Sequence, residues 1–212
     1  MADYRIPTGN ITFEQYVKRS HFICHLTHTI SREEAMSFIH SISAHHPTAN
    51  HNCWAFIAGP PDDASGWGMN DDGEPKGCAG KPMFNVLNHC GAGEICAVVT
   101  RYFGGIKLGT GGMARAYSST VQLALEKMEF TTKVHCISIE LLFPYNLQKN
   151  VEHFVQLYAG TIVHTEYAAK VRMVANIPVQ HLSTLEARLL EIGQGDNLLV
   201  QVSNINDKST SF

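Results

Sequence analysis

Apolar residues recur along this chain in two rhythms, the short alternations and bulky runs of strands and the three-to-four spacing of amphipathic helices. The segment Phe22-Ile23-Cys24-His25-Leu26 suits a short strand, and Ser31-Arg32-Glu33-Glu34 carries the spacing of a capping box at a helix start. Ala35, Met36, Ile39 and Ile42 then fall on one helical face. From His51 to Ala58 the bulky residues Cys53, Trp54, Phe56 and Ile57 show no helical stripe, which predicts a second strand stopped by Gly59-Pro60-Pro61. Asp62 to Glu74 reads as loop. A helix is expected from Gly80-Lys81-Pro82, with Met83, Val86, Leu87 and Cys90 on one face and Gly91 at its end. A strand from Glu94 to about Phe103 leads through a glycine-dense loop into a long helix with the stripe Met113, Ala116, Tyr117, Thr120, Val121, Ala124 and Met128.

The pattern changes at Thr131-Thr132-Lys133, the expected boundary between a domain over residues 1–130 and a second over 134–205. Beyond it the order is strand (Val134 to Phe143), helix (Leu147, Val151, Phe154, Val155, Tyr158, ended by Gly160), strand (Thr161 to Glu166) and strand (Lys170 to Ile177). A helix (Leu182, Leu185, Leu189, Leu190, leaving at Gly193) and a strand (Leu198 to Val202) complete it. This βαββαβ order is the ferredoxin-like motif. Asn206 to Phe212 reads as a frayed tail.

The chain has 212 residues, is 44% hydrophobic and carries a formal net charge of -3, so binding to an anionic partner depends on local clusters of cations. Its six cysteines form no CxxC pair, and the start Met1-Ala2-Asp3-Tyr4-Arg5 lacks a basic stretch followed by an apolar one. Both features point to reduced thiols and a cytoplasmic protein. The run Ile95 to Val99 is far too short to span a bilayer, so no membrane partner is expected.

The densest chemistry lies between Ala97 and Tyr117, where Arg101, Lys107 and Arg115 are the only charges. Gly109, Thr110, Gly111 and Gly112 stand at a helix start, where free N–H groups and the positive dipole end favour an anion, and Lys76 and Lys81 lie within reach in sequence. Tyr102 and Phe103 either stack a base or belong to the core. Gly109 to Ala114 fits GxGxxG/A, but Ile106-Lys107-Leu108 and a second glycine pair separate it from the strand, against a nicotinamide or flavin role. Gly77 to Pro82 resembles a Walker loop without its spacing, and Pro82 stands where a magnesium-binding hydroxyl belongs. No cofactor is expected.

Asp71, Asp72, Gly73, Glu74 and Pro75 offer oxygen ligands without the alternation of an EF-hand loop, and a turn is the simpler account. His45, His46, His51 and Cys53 crowd together but lack the paired spacing of a zinc site. Cys53 with His51 is either a nucleophile and base or a strand pair sharing a face through the pleat.

The motifs His51-Asn52-Cys53, Asp71-Asp72-Gly73-Glu74-Pro75 with Gly77, Ala79-Gly80-Lys81-Pro82, Arg101-Tyr102-Phe103-Gly104-Gly105 and Leu108-Gly109-Thr110-Gly111-Gly112 occur in one order. Together they resemble the IMPACT family, with a core from about Lys18 to Met128. The resemblance implies an α+β protein of two domains. The first is an N-terminal α/β sandwich like domain IV of elongation factor G and some ribosomal proteins, with a left-handed βαβ crossover; the second is a C-terminal ferredoxin-like domain like domain V of that factor. It also implies a link to translation, with bacterial-type members suspected of binding nucleic acid or ribosomes. Eukaryotic members restrain a kinase of translation initiation through an extra N-terminal domain, a partner not carried over here. His21 stands where a basic residue commonly precedes the phenylalanine, and Cys78 where threonine is usual.

The expectation is a non-enzymatic, cytoplasmic translation accessory that binds RNA or the ribosome through Arg101 to Arg115, aided by Lys76 and Lys81. Two alternatives stand beside it: a hydrolase or phosphate-ligand enzyme using Asp71, Asp72 and Glu74 beside Lys81, with Cys53 and His51 as further candidates and no catalytic residue fixed, and a protein-interaction module acting through the C-terminal domain on a translation-associated partner.

Overall fold

Strand β6 (Ile95–Tyr102) is the axis of the first unit, and its unbroken apolar start reflects burial on both faces. The computed structural model describes residues 3–204, so the tail expected from Asn206 lies outside the described residues. Two compact units divide at Lys133 and Val134.

In the first unit, β2 (Ile11–Val17), β3 (Ser20–His28), β4 (His51–Ile57) and β5 (Trp67–Asn70) join β6 in a sheet of order β2-β3-β6-β4-β5 with every neighbouring pair antiparallel. Helix α1 (Arg32–His45) connects β3 to β4, which run parallel to each other with β6 between them. Its Ala35 and Ile39 pack on Phe56, Cys96 and Val98 on one sheet face. Helices α2 (Gly80–His89) and α3 (Thr110–Leu125) cover the other face, where Met83, Leu87, Tyr117 and Val121 meet Phe22, Cys24, Leu26, Cys53 and Val99. The expected capping bond forms at the N-cap, where Ser31 Oγ accepts from Glu34 N–H at 3.2 Å, and the return bond lands one residue earlier, Glu34 Oε2 accepting from Ile30 N–H at 2.9 Å.

Four short strands escaped the hydrophobic pattern. Trp67–Asn70 lies inside the segment read as loop, β1 (Tyr4–Pro7) has only four residues, and β2 alternates half-buried with exposed positions while Glu14 and Gln15 interrupt its apolar pattern. The stretch read as a boundary is itself strand β7 (Phe130–Lys133), antiparallel to β1. This pair closes on Glu94, a buried carboxylate with a left-handed backbone (φ +53°). Glu94 accepts from Tyr4 Oη at 2.8 Å, from His28 Nε2 at 2.7 Å and from Lys133 Nζ. Burial opposes its ionisation, but the Lys133, His28 and Tyr4 donors prevail and hold its carboxyl below the usual range.

The second unit comprises β8 (Cys136–Phe143), α4 (Gln148–Leu157), β9 (Thr161–Tyr167), β10 (Val171–Pro178), α5 (Leu182–Ile192) and β11 (Leu199–Asn204). Its antiparallel sheet runs β11-β8-β10-β9, the ferredoxin-like order. Ile139, Leu141, Met173 and Ile177 of the sheet meet Val151, Val155, Leu185 and Leu189 of the helices in a core of its own. No helix among the described residues is long and apolar enough to cross a membrane.

Candidate functional site

The sequence motifs converge where β4 begins and β6 ends. His51 and Arg101 are direct partners across these strands, and the 71–80 loop and the start of α3 close over them. Arg101 faces inward and is 5% exposed. Its Nη1 donates to Glu74 Oε1 at 2.5 Å and lies 3.3 Å from Met113 Sδ. Tyr117 Oη donates to the same Glu74 oxygen at 2.8 Å, and Cys53 Sγ lies 3.3 Å from Tyr117 Oη and 2.9 Å from the Asp71 carbonyl. Arg101 is therefore part of the interior, not a surface clamp for phosphate: its charge is committed to a buried carboxylate. Tyr117, read from sequence only as a member of the α3 stripe, is the residue that ties α3 to this ion pair.

Burial pushes the Cys53 and Tyr117 protons well above their ordinary pKa values, so both stay neutral. A buried thiol held protonated is not an activated nucleophile, which favours the core reading of Cys53 over the catalytic one. His51 Nδ1 bonds the Asp72 carbonyl at 2.7 Å, and its Nε2 lies 3.8 Å from Glu74 Oε2.

The acidic loop spends its carboxylates within the fold. Asp71 accepts from Gly77 N–H at 2.7 Å, Ala79 N–H at 2.9 Å and Gly80 N–H at 2.8 Å, which caps α2 from nine residues away. Burial raises its pKa, but the three amides outweigh that and hold the carboxyl below the usual range. Asp72 accepts from Asn52 N–H at 2.6 Å. Gly73 and Pro75 are exposed beside these anchored carboxylates. The loop is thus a clasp between β4 and α2, and the Walker-like glycines are already occupied by the chain's own anion. His45 and His46 bond the Ser41 carbonyl and Tyr102 Oη respectively, away from His51. Among the described residues, no group of three or more His, Cys, Asp or Glu side chains is placed to hold a metal ion.

The start of α3 is different. Its N-cap is Gly109, with φ +73° and no side-chain cap, and Thr110 and Gly111 are exposed beside the half-buried Gly112. A left-handed backbone at position 109 favours glycine, and a Cβ added at Gly111 would meet no heavy atom within 4 Å. Lys107 and Arg115 are exposed on either side of these donors. Arg115 also borders an open groove of about 720 Å³ between α2 and α3, shared with Arg5, Asn85, Val86, Cys90 and Phe130. Lys76 and Lys81 are exposed, with Lys81 Nζ 5.2 Å from the Phe84 ring. Phe103 is 46% exposed, and Tyr102 is half-buried with its hydroxyl 2.9 Å from His46 Nδ1.

Residues 18–125 match the family model of the Impact N-terminal domain, and residues 141–196 match a domain of unknown function (DUF1949). An IMPACT family member of Haemophilus influenzae is 39% identical over 98% of this chain and 100% of its own length. The IMPACT family member YigZ of Escherichia coli is 38% identical over 95% of this chain and 99% of its own. A crystal structure of a hypothetical protein superposes with a TM-score of 0.68 at 37% identity, covering 97% of this chain and 98% of that one. The match of the N-terminal domain and the two full-length relatives agree with the motif order and the two-unit architecture: the chain belongs to the IMPACT family.

Proposed function

We propose that this protein is a cytoplasmic, translation-linked accessory that binds RNA, free or within the ribosome, through phosphate contacts at the start of α3. The observation that carries this reading is the uncapped turn at Thr110 to Gly112, flanked by the exposed cations Lys107 and Arg115. Open N–H groups at a helix start receive phosphate oxygens, and the adjacent ammonium and guanidinium add charge that the net balance of the chain does not supply. Lys76 and Lys81 extend the set as exposed cations, whereas Arg101 acts only by holding β6 and the clasp in place.

Phosphate recognition of this kind weakens steeply with salt because condensed counterions are released on binding. Replacing both Lys107 and Arg115 by glutamate leaves the buried network untouched. The double variant is expected to lose most of its retention on ribosomes or structured RNA and to flatten the dependence of log affinity on log salt by about two contacts. Unchanged retention in that variant, with the fold intact by circular dichroism, would refute the reading.

A further inference from the structure

Three rings line up across β2, β3 and β6 at positions paired directly in register, Tyr16 with His21 and His21 with Tyr102. Tyr16 and His21 stack face to face with centroids 4.3 Å apart and planes 3° from parallel. His21 and Tyr102 follow at 6.2 Å and 27°. The far end of the row is fastened, because Tyr102 Oη bonds His46 at the end of α1. The near end is open: β2 is the edge strand of the sheet, and Tyr16 is 70% exposed.

The surroundings of the open end are cationic. Lys18 and Arg19 form the two-residue turn between β2 and β3, both with left-handed backbones (φ +44° and +68°) and both exposed. Hairpin turns of this kind favour Asn-Gly, so two long basic side chains occupy positions that local conformation disfavours. The turn is held against the glycine loop: a Cβ at Gly104 would fall 2.0 Å from the Arg19 carbonyl, and Gly104 N–H donates to Ser20 Oγ at 3.2 Å. This contact joins the basic turn to the segment that carries Lys107. Glu14, two residues before Tyr16 on β2 and opposite Ile23, brings its carboxylate to His21 Nε2 at 2.7 Å.

We infer that the row Tyr16, His21 and Tyr102 is a stacking site for the unpaired bases of single-stranded RNA, with Lys18, Arg19 and Lys107 receiving the adjoining phosphates. The inference rests on the phosphate-binding reading above and adds the class of nucleic acid. An open-ended stack continues with another planar ring, every base offers such a face, and stacked bases are recognised largely without regard to sequence. The charge complementarity of the turn selects a nucleic acid over an uncharged aromatic partner.

The test compares two probes at one salt concentration by fluorescence anisotropy, an oligouridine ten nucleotides long and an abasic ribose-phosphate oligomer of the same length. The wild-type protein is expected to bind the base-bearing probe about tenfold more tightly. Tyr16→Ala should equalise the two affinities and Tyr16→Phe should restore the difference; high exposure of this residue keeps the fold safe, which the urea midpoint checks. Equal affinities in the wild-type protein, or a preference that survives Tyr16→Ala, would overturn the stacking site and leave the phosphate reading standing. Loss of preference in Tyr16→Phe would overturn it too. Replacing Lys107 and Arg115 by glutamate should weaken both probes together. If it weakens neither while the base preference persists, the phosphate reading at α3 fails together with the role given to Lys107, and only base stacking on Tyr16 is retained. Failure of the wild-type protein to bind either probe, as a protein partner for this face would give, rejects both.

Discussion

Glu74 shows how one side chain decides the role of another. Its carboxylate receives Arg101 and Tyr117 in a buried setting, so removing it leaves a guanidinium with neither water nor counterion. Glu74→Ala is expected to destabilise the protein by about 3–5 kcal/mol, measured by urea unfolding, and pairing Glu74→Leu with Arg101→Met should recover most of that loss. Recovery would separate the cost of an orphaned charge from any requirement for the ion pair itself. At this scale the sequence was only half legible. The glycine loop, its exposed cations and the acidic motif could all be found in the chain, but spacing carries no information on which side of a strand Arg101 points. The Phe22 and Phe103 rings lie beside the Arg101 guanidinium in the fold, and the alternation that would turn it inward is masked because β6 is apolar on both faces.

Between elements, the loop after β6 lies directly against the β2–β3 turn. A methyl group at position 104 has no space against the Arg19 backbone, whereas one at Gly105 meets only open space and the strain of φ +86°. Gly104→Ala should therefore lower the urea midpoint by the equivalent of about 1–3 kcal/mol and displace the turn, while Gly105→Ala should cost about 1 kcal/mol. If the two variants behave alike, backbone strain and not contact governs this junction. The elements with a strong helical stripe were legible, α2 and α3 above all, as was the whole βαββαβ order of the second unit. The short strands were not: β1, β5 and β7 have four residues each, too few for alternation to emerge, and β2 alternates half-buried with exposed residues. Missing β2 also hid Tyr16, whose importance depends on a neighbour across the sheet and not along the chain.

At the scale of the molecule, each unit holds its own core, and the pairing of β1 with β7 completes the first before the chain enters the second. A chain ending after Lys133 is expected to unfold cooperatively in urea, and one ending after Met128 to lose several kcal/mol of that stability. The shorter form lacks the Arg5 contact with Phe130 at 4.4 Å and the Lys133 contact with Glu94. Similar midpoints for the two would assign β7 no part in the unit's stability. The same pairing has a consequence for the nascent chain. Within this unit the first strand to be synthesised must wait for the unit's last, and Glu94 lacks Lys133, one of its three donors, until then. Vectorial synthesis therefore makes the terminal latch the final step of this unit, and a pause in elongation before residue 133 holds it open.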